Sequence, residues 1–366
     1  MRGKGNMAIH AKIPSGLNDQ ADHVMNNGAP GTAAICRALI ALAEGESLCG
    51  RRIAGWNPEA VLRDALPLRI AGGFHDLFRR GFEPELGEIY RGEMSDPEAV
   101  DALVADIVSR HDADLLKWFD GPPQTNEAGR SASFIAALHW LASRVAPNFE
   151  LNEIGSSAGM NLLIGRYAYD LNGVTSGPGD APVIIKPIWN GPPPPADPFA
   201  ITSVQGCDIQ PIDVRDDAAA DRLMAYIWPE MPERFIRMEA GIQMIRDQGI
   251  DLVQADAADF VEARLAAPQA LGTTRVLMHS IVWQYLPDEV QQRIEAAMAD
   301  AGSRATAETP LAWISLETNR ATFRHELKVR YWPDGGESVT LGEAHAHGIW
   351  INWLHPGPER PPKNFH

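Results

Sequence analysis

The string Asn148-Phe149-Glu150-Leu151-Asn152-Glu153-Ile154-Gly155-Ser156-Ser157-Ala158-Gly159 constrains the chain more than any other segment. Seven strand-forming positions run into a glycine- and serine-rich turn, and Met160 to Tyr167 then reads as the start of a helix. Before it, from Thr32 to Pro147, apolar residues recur at helical spacing and no strand pattern is visible. After it, strand and helix alternate. A switch of period at one point predicts two architectures in series: a helical N-terminal domain, then an α/β domain with a mostly parallel sheet covered on both faces.

Residues 1–30, rich in Gly, Asn and Pro without a period, read as a flexible tail. Residues 31–147 read as the helical domain. There Asp96-Pro97 opens a helix with Val100, Leu103, Val104, Ile107 and Val108 on one stripe. A second helix after Thr125 stacks Phe134, Ala137, Leu138 and Leu141. Residues 148–366 read as the α/β domain, interrupted at about 170–200 by an insertion around Gly191-Pro192-Pro193-Pro194-Pro195. Its further strands are expected at Val183–Ile185, Ile201–Gly206, Asp251–Val253, Val276–His279 and Leu311–Leu316. Leu327–Trp332 is expected to pair with Gly348–Trp353 as an antiparallel C-terminal pair.

Read as acid-x-Gly-x-Ser-x-Gly, Glu153 to Gly159 resembles the first motif of Rossmann-like, class I S-adenosylmethionine-dependent methyltransferases, with Ser157 where a third glycine usually stands. In that motif small residues let the backbone approach the cofactor, and the following helix offers free N–H groups to the cofactor's carboxylate. The resemblance implies cofactor contacts from Glu153, Gly155, Ser157 and Gly159. It extends to Asp208, at the end of the next core strand, as the acid that binds the ribose hydroxyls. Asp256-Ala257 then resembles the pair beside adenine. Asp208 follows Glu153 at far more than the roughly 20 residues usual in dinucleotide-binding folds, a gap the insertion accounts for. Arg130, on the element before the first strand, is the candidate for the cofactor carboxylate. His279 and Tyr285 follow the fourth core strand, where the transferred methyl is expected. His279 is the candidate base because its ordinary pKa lies near neutrality.

The same letters spell Gly155-x-Ser157-x-Gly159, the nucleophile elbow of a serine hydrolase. That reading requires several strands upstream and an oxyanion loop. The helical pattern before Asn148 opposes it, and it assigns Glu153 no role. A third reading is a non-catalytic protein that binds S-adenosylmethionine or a nucleotide, prompted by Ser157 and by the missing Asn/Asp-Pro-Pro-Tyr motif after the fourth strand.

Further strings, Thr125-Asn126-Glu127-Ala128-Gly129-Arg130-Ser131, Gly206-Cys207-Asp208-Ile209-Gln210-Pro211, Tyr226-Ile227-Trp228-Pro229, His279-Ser280-Ile281-Val282-Trp283-Gln284-Tyr285-Leu286 and His345-Ala346-His347-Gly348, resemble an uncharacterised bacterial family, domain of unknown function 2332. That resemblance implies a methyltransferase-like fold and no established reaction.

Composition narrows the partners. A formal charge of −16 opposes a broad nucleic-acid surface. No apolar run reaches the roughly 20 residues of a membrane span, and no signal-peptide pattern is seen. Cys36, Cys49 and Cys207 form no CxxC pair, so packed thiols in the reducing cytoplasm are expected. His345 and His347 alternate, yet no third ligand at zinc spacing accompanies them, so no metal is expected. The expected partner is a small-molecule or protein substrate. The oligomeric state is not legible.

Overall fold

In the computed structural model, which describes residues 10–124 and 126–355, the helical spacing of the first third becomes α1 (Lys12–Asn26), α2 (Pro30–Ala43), α3 (Leu48–Ala54), α4 (Leu66–Arg79), α5 (Leu86–Tyr90) and α6 (Pro97–Leu116). The described residues divide into two compact units. One holds the chain up to residue 124 together with Asp216–Ile236, which carries α8 (Asp217–Ala225); the other holds Asn126–Arg215 and the residues from Arg237 onward.

In the first unit the elements are helices. Asp96 caps α6 by accepting from Ala99 N at 3.0 Å, Pro97 occupies the first turn, and Val100, Val104, Ile107 and Val108 are buried as their spacing predicts. The expected tail is corrected over its described part. α1 buries Ile13, Leu17, Gln20, Ala21 and Val24 along one face, a stripe that the glycines and asparagines around it obscured. Asn26-Asn27-Gly28, read as loop composition, is where this helix stops. Residues 1–9 of that expectation lie outside the described residues.

The second unit begins earlier than expected. α7 (Ser131–Ala142) belongs to it, and every residue from Ser131 to Leu141 is buried. A helix without a polar face must be covered all round, and one such helix belongs against a sheet. α9 (Pro232–Gln248) continues the chain from the first unit into the second, followed there by α10 (Ala257–Ala266) and α11 (Asp288–Arg304).

The strands are β1 (Asn148–Ile154), β2 (Ala168–Leu171), β3 (Val174–Ser176), β4 (Ile184–Ile185), β5 (Ile188–Asn190), β6 (Ala200–Asp208), β7 (Leu252–Gln254), β8 (Thr273–Ser280), β9 (Leu311–Thr318), β10 (His325–Trp332), β11 (Val339–Ala344) and β12 (Trp350–Trp353). Nine of them form one sheet in the order β5-β12-β11-β10-β9-β8-β1-β6-β7. From β9 to β7 neighbours are parallel, whereas β9 to β12 is an antiparallel meander, and β5 lies parallel to β12 at the far edge. All eight residues of β8 are buried, as a central parallel strand requires.

Two expectations about strands need correction. β10 pairs with β9 and β11 rather than with β12, because Val339–Ala344 is itself a strand. A Cβ on its Gly342 would stand 2.3 Å from Asn352 O, so the glycine permits close strand pairing. The insertion is ordered too. β2, β3 and β4 form a separate sheet in the order β3-β2-β4, with Asn172-Gly173 between β2 and β3, a strong hairpin signal.

Candidate functional site

In an open parallel sheet, ligands bind beyond the carboxyl ends of the strands where the chain order reverses, which here is between β1 and β8. β1 delivers Gly155 to Gly159 to that point. The turn is left-handed at Gly155 (φ 69°), Ser157 (φ 54°) and Gly159 (φ 81°). A Cβ on Gly155 would lie 2.3 Å from Val282 Cγ2, and one on Gly159 2.2 Å from Ile250 Cδ1. The protein's own side chains therefore fill the space that glycine leaves.

Most of the turn's amides are spent internally. Ser156 N donates to Cys207 O, Ser157 N to Asp208 Oδ2 at 2.8 Å, Gly159 N to Ser156 O and Met160 N to Asn126 Oδ1 at 2.6 Å. The expected helix from Met160 to Tyr167 is only a 3-10 turn, Met160–Leu163. Two tyrosine hydroxyls claim carbonyls that a helix would need: Tyr167 Oη donates to Met160 O and Tyr169 Oη to Ile164 O, each at 3.0 Å. The amides of Ser156, Ser157, Gly159 and Met160 are therefore not the free N–H groups expected of an anion seat.

Acceptors dominate instead. Glu153 is 1% exposed; its Oε1 accepts from Asn161 Nδ2 at 2.8 Å. Burial pushes its carboxyl up to about 7, and the Asp208 charge adds to the rise. Among the described residues, Glu153 Oε2, Asn161 Oδ1 and Ser157 Oγ are buried without a hydrogen-bond partner. Asp208, at the end of β6, also accepts from Gln210 N at 2.8 Å through Oδ1. Asp256 follows β7 and caps α10, its Oδ1 accepting from Ala258 N at 2.8 Å and Asp259 N at 3.3 Å, with Ala257 buried beside it. Between these acids sits Cys207, whose thiol is pushed up to about 12 by burial first and by the Asp208, Glu153 and Asp256 charges after it. All three cysteines are buried and free.

The end of β8 departs from expectation. His279 is 2% exposed; Trp313 Nε1 donates to its Nε2 at 2.9 Å, and its Nδ1 faces Glu317 Oε1 at 2.7 Å. A donor aimed at Nε2 fixes the tautomer with the proton on Nδ1, directed to Glu317. Trp283 stacks on the ring, with centroids 5.2 Å apart. Both nitrogens are engaged, so His279 is a structural brace and not a free base. Glu317 Oε1 also accepts from Val282 N and Trp283 N, which holds the loop after β8. Tyr285, on that loop, is 69% exposed.

Arg130 is likewise turned inward. Its Nε donates to Ala346 O at 2.6 Å and its Nη1 lies 3.5 Å from Ser280 O, so it ties the segment before β12 to the end of β8. His345 and His347 lie beyond β11, not on a strand, with ring centroids 5.5 Å apart. Asn161, Trp313 and Glu317 carried no local signal: their partners lie on other elements. Ser157 Oγ, the nucleophile of the hydrolase reading, has no base against it among the described residues.

Among the described residues no helix is long and apolar enough to cross a membrane. No curated protein and no solved structure matches the chain. A family model matches residues 15–353, nearly the whole chain, and the chain belongs to that family, described as an uncharacterized protein conserved in bacteria (DUF2332).

Proposed function

We propose that the chain is an S-adenosylmethionine-dependent methyltransferase acting on a small molecule or a protein side chain, with the cofactor across the carboxyl ends of β1, β6 and β7. One observation carries the reading: Glu153, Asp208 and Asp256 stand at the ends of three adjacent parallel strands, beside the reversal of strand order. The order β7-β6-β1-β8-β9 supports the reading, because a Rossmann-like sheet runs 3-2-1-4-5 across its switch point.

The donor chemistry of the cofactor suits this rim. Its ammonium and ribose hydroxyls are donors, and the unpartnered Glu153 Oε2 and Asn161 Oδ1 can only accept when the carboxyl is ionised. Asp208 would hold the ribose diol with lone pairs its two backbone donors leave, and Asp256 and Ala257 would border the adenine. The carboxylate end is less well served, because the turn's amides and Arg130 are already engaged. When bound, the cofactor supplies an electrophilic methyl on a sulfonium, and an acidic rim complements that positive charge. Of the two catalytic candidates, Tyr285 alone keeps an exposed functional group with which to meet an acceptor. A binding protein without catalysis is favoured by one observation, the engagement of both His279 nitrogens.

Calorimetry with S-adenosylmethionine tests the proposal. Asp208→Ala should weaken binding by about 1 to 3 kcal/mol, the loss of charge-assisted hydrogen bonds, and Asp208→Asn by less. Absence of binding to the wild type, or an Asp208→Ala variant of unchanged affinity and melting temperature, would refute it. Binding without methyl transfer to any acceptor in a cell extract would establish the binding protein.

A further inference from the structure

The second unit holds a cavity of about 600 Å³ lined by α7, the β2–β3 hairpin, Pro198, Phe199 and the first half of β6, Ile201–Val204. None of Glu153, Asp208 and Asp256 lines it. Inside, His139 Nε2 lies 2.6 Å from Ser176 Oγ, and His139 Nδ1 lies 3.1 Å from Asp197 O. A backbone carbonyl can only accept, so the proton sits on Nδ1. Nε2 is then a lone pair, and the Ser176 hydroxyl donates to it. Burial of the ring lowers its pKa and keeps this tautomer neutral. Phe199 packs edge-on against the imidazole, with centroids 4.8 Å apart, and fixes its plane.

We propose that this cavity is a second, hydrolytic site in which Ser176, activated by His139, attacks small apolar acyl esters. Nucleophile, base and orienting acceptor are all present, the last a carbonyl in place of the usual carboxylate. The volume lies within the range of small-molecule sites. Ile135, Leu162, Tyr169 and Ile201 make an apolar wall for an acyl chain, and Arg166 is the one Lys or Arg in the lining; its Nη1 donates to Gly249 O at 2.9 Å, which leaves its other guanidinium N–H groups for a developing oxyanion. Ser176 Oγ bonds to the ester carbonyl carbon as its proton passes to His139 Nε2. The bond to the leaving alkoxide breaks, and the alcohol departs with that proton. Water then attacks the acyl-serine, giving one proton to Nε2; the acid is released and Ser176 Oγ recovers the proton.

The full chain treated with a fluorophosphonate probe, digested and mapped by mass spectrometry should carry the adduct on Ser176. Hydrolysis of p-nitrophenyl butyrate should vanish in Ser176→Ala at unchanged melting temperature. His139→Ala should slow labelling at least about 100-fold, with partial rescue by added imidazole. No adduct on the native chain, an adduct confined to another serine such as Ser157, or hydrolysis that survives Ser176→Ala overturns the proposal. Mapping on the wild type decides the matter even where a variant fails to fold, and it is independent of cofactor binding.

Discussion

Ser157 combines two unfavourable features in one residue: a left-handed backbone at φ 54° and a buried hydroxyl without a partner among the described residues. The first costs a non-glycine residue about 1 to 2 kcal/mol, and the second is of similar size. Ser157→Gly removes both and adds some backbone entropy to the unfolded chain, so stability in urea should rise by about 1 kcal/mol. If the hydroxyl serves the ligand, cofactor affinity should fall in the same variant. A less stable Ser157→Gly would mean that packing of the hydroxymethyl outweighs both costs. At this scale the positions of the acids were legible, because Glu153 and Asp208 close strands and Asp256 follows one, each readable locally. The role of His279 was not, since Trp313 and Glu317 reach it from β9.

At the scale of the element, the β1 turn is held as much by the loop after β8 as by its own residues. Gly155→Ala would place a Cβ against Val282 at a backbone angle that L-residues avoid. A loss of about 2 to 4 kcal/mol is expected in urea unfolding. Adding Val282→Ala should recover the steric part and leave the backbone part. A near-neutral Gly155→Ala would show that the turn can shift away from Val282. The failure of the helix after Gly159 has a related cause. Met160 to Ile164 and Tyr167 are buried on every side, and the tyrosine hydroxyls of Tyr167 and Tyr169 compete for the backbone carbonyls there. Local propensity favoured a helix, and tertiary hydrogen bonds overrode it.

Across the molecule, the two units carry buried titratable groups of opposite sign. In the first, burial lowers His75 from 6.5 to about 4, with Nδ1 2.9 Å from Ala225 O. In the second, burial raises Glu153 from 4.5 to about 7. The unfolded chain binds more protons than folded His75 between about pH 4 and 6.5, so stability of the first unit is lost as pH falls through that window. Folded Glu153 binds more protons than its unfolded form between about pH 4.5 and 7, so its contribution is present in full below 4.5 and lost as pH rises to 7. Each is worth at most about 3 kcal/mol. Hydrogen exchange, corrected for intrinsic rates, should show α4 and α8 losing protection on acidification while β1 gains it. His75→Gln and Glu153→Gln should flatten the respective slopes. Slopes of the same sign in both units would contradict the assignment.

What the sequence determined by itself was whatever is encoded over a few neighbouring residues. The helical period before residue 124, the position of β1, and the acids at the ends of β1, β6 and β7 all follow from spacing and turn chemistry. The tertiary structure alone decided which elements cover α7, where β5 joins the sheet, and that β11 lies between β10 and β12. It also engaged both nitrogens of His279 and brought His139 of α7 to Ser176 of β3. These outcomes depend on register and packing between segments far apart in the chain, and no local pattern encodes which distant side chain will complete a buried hydrogen bond.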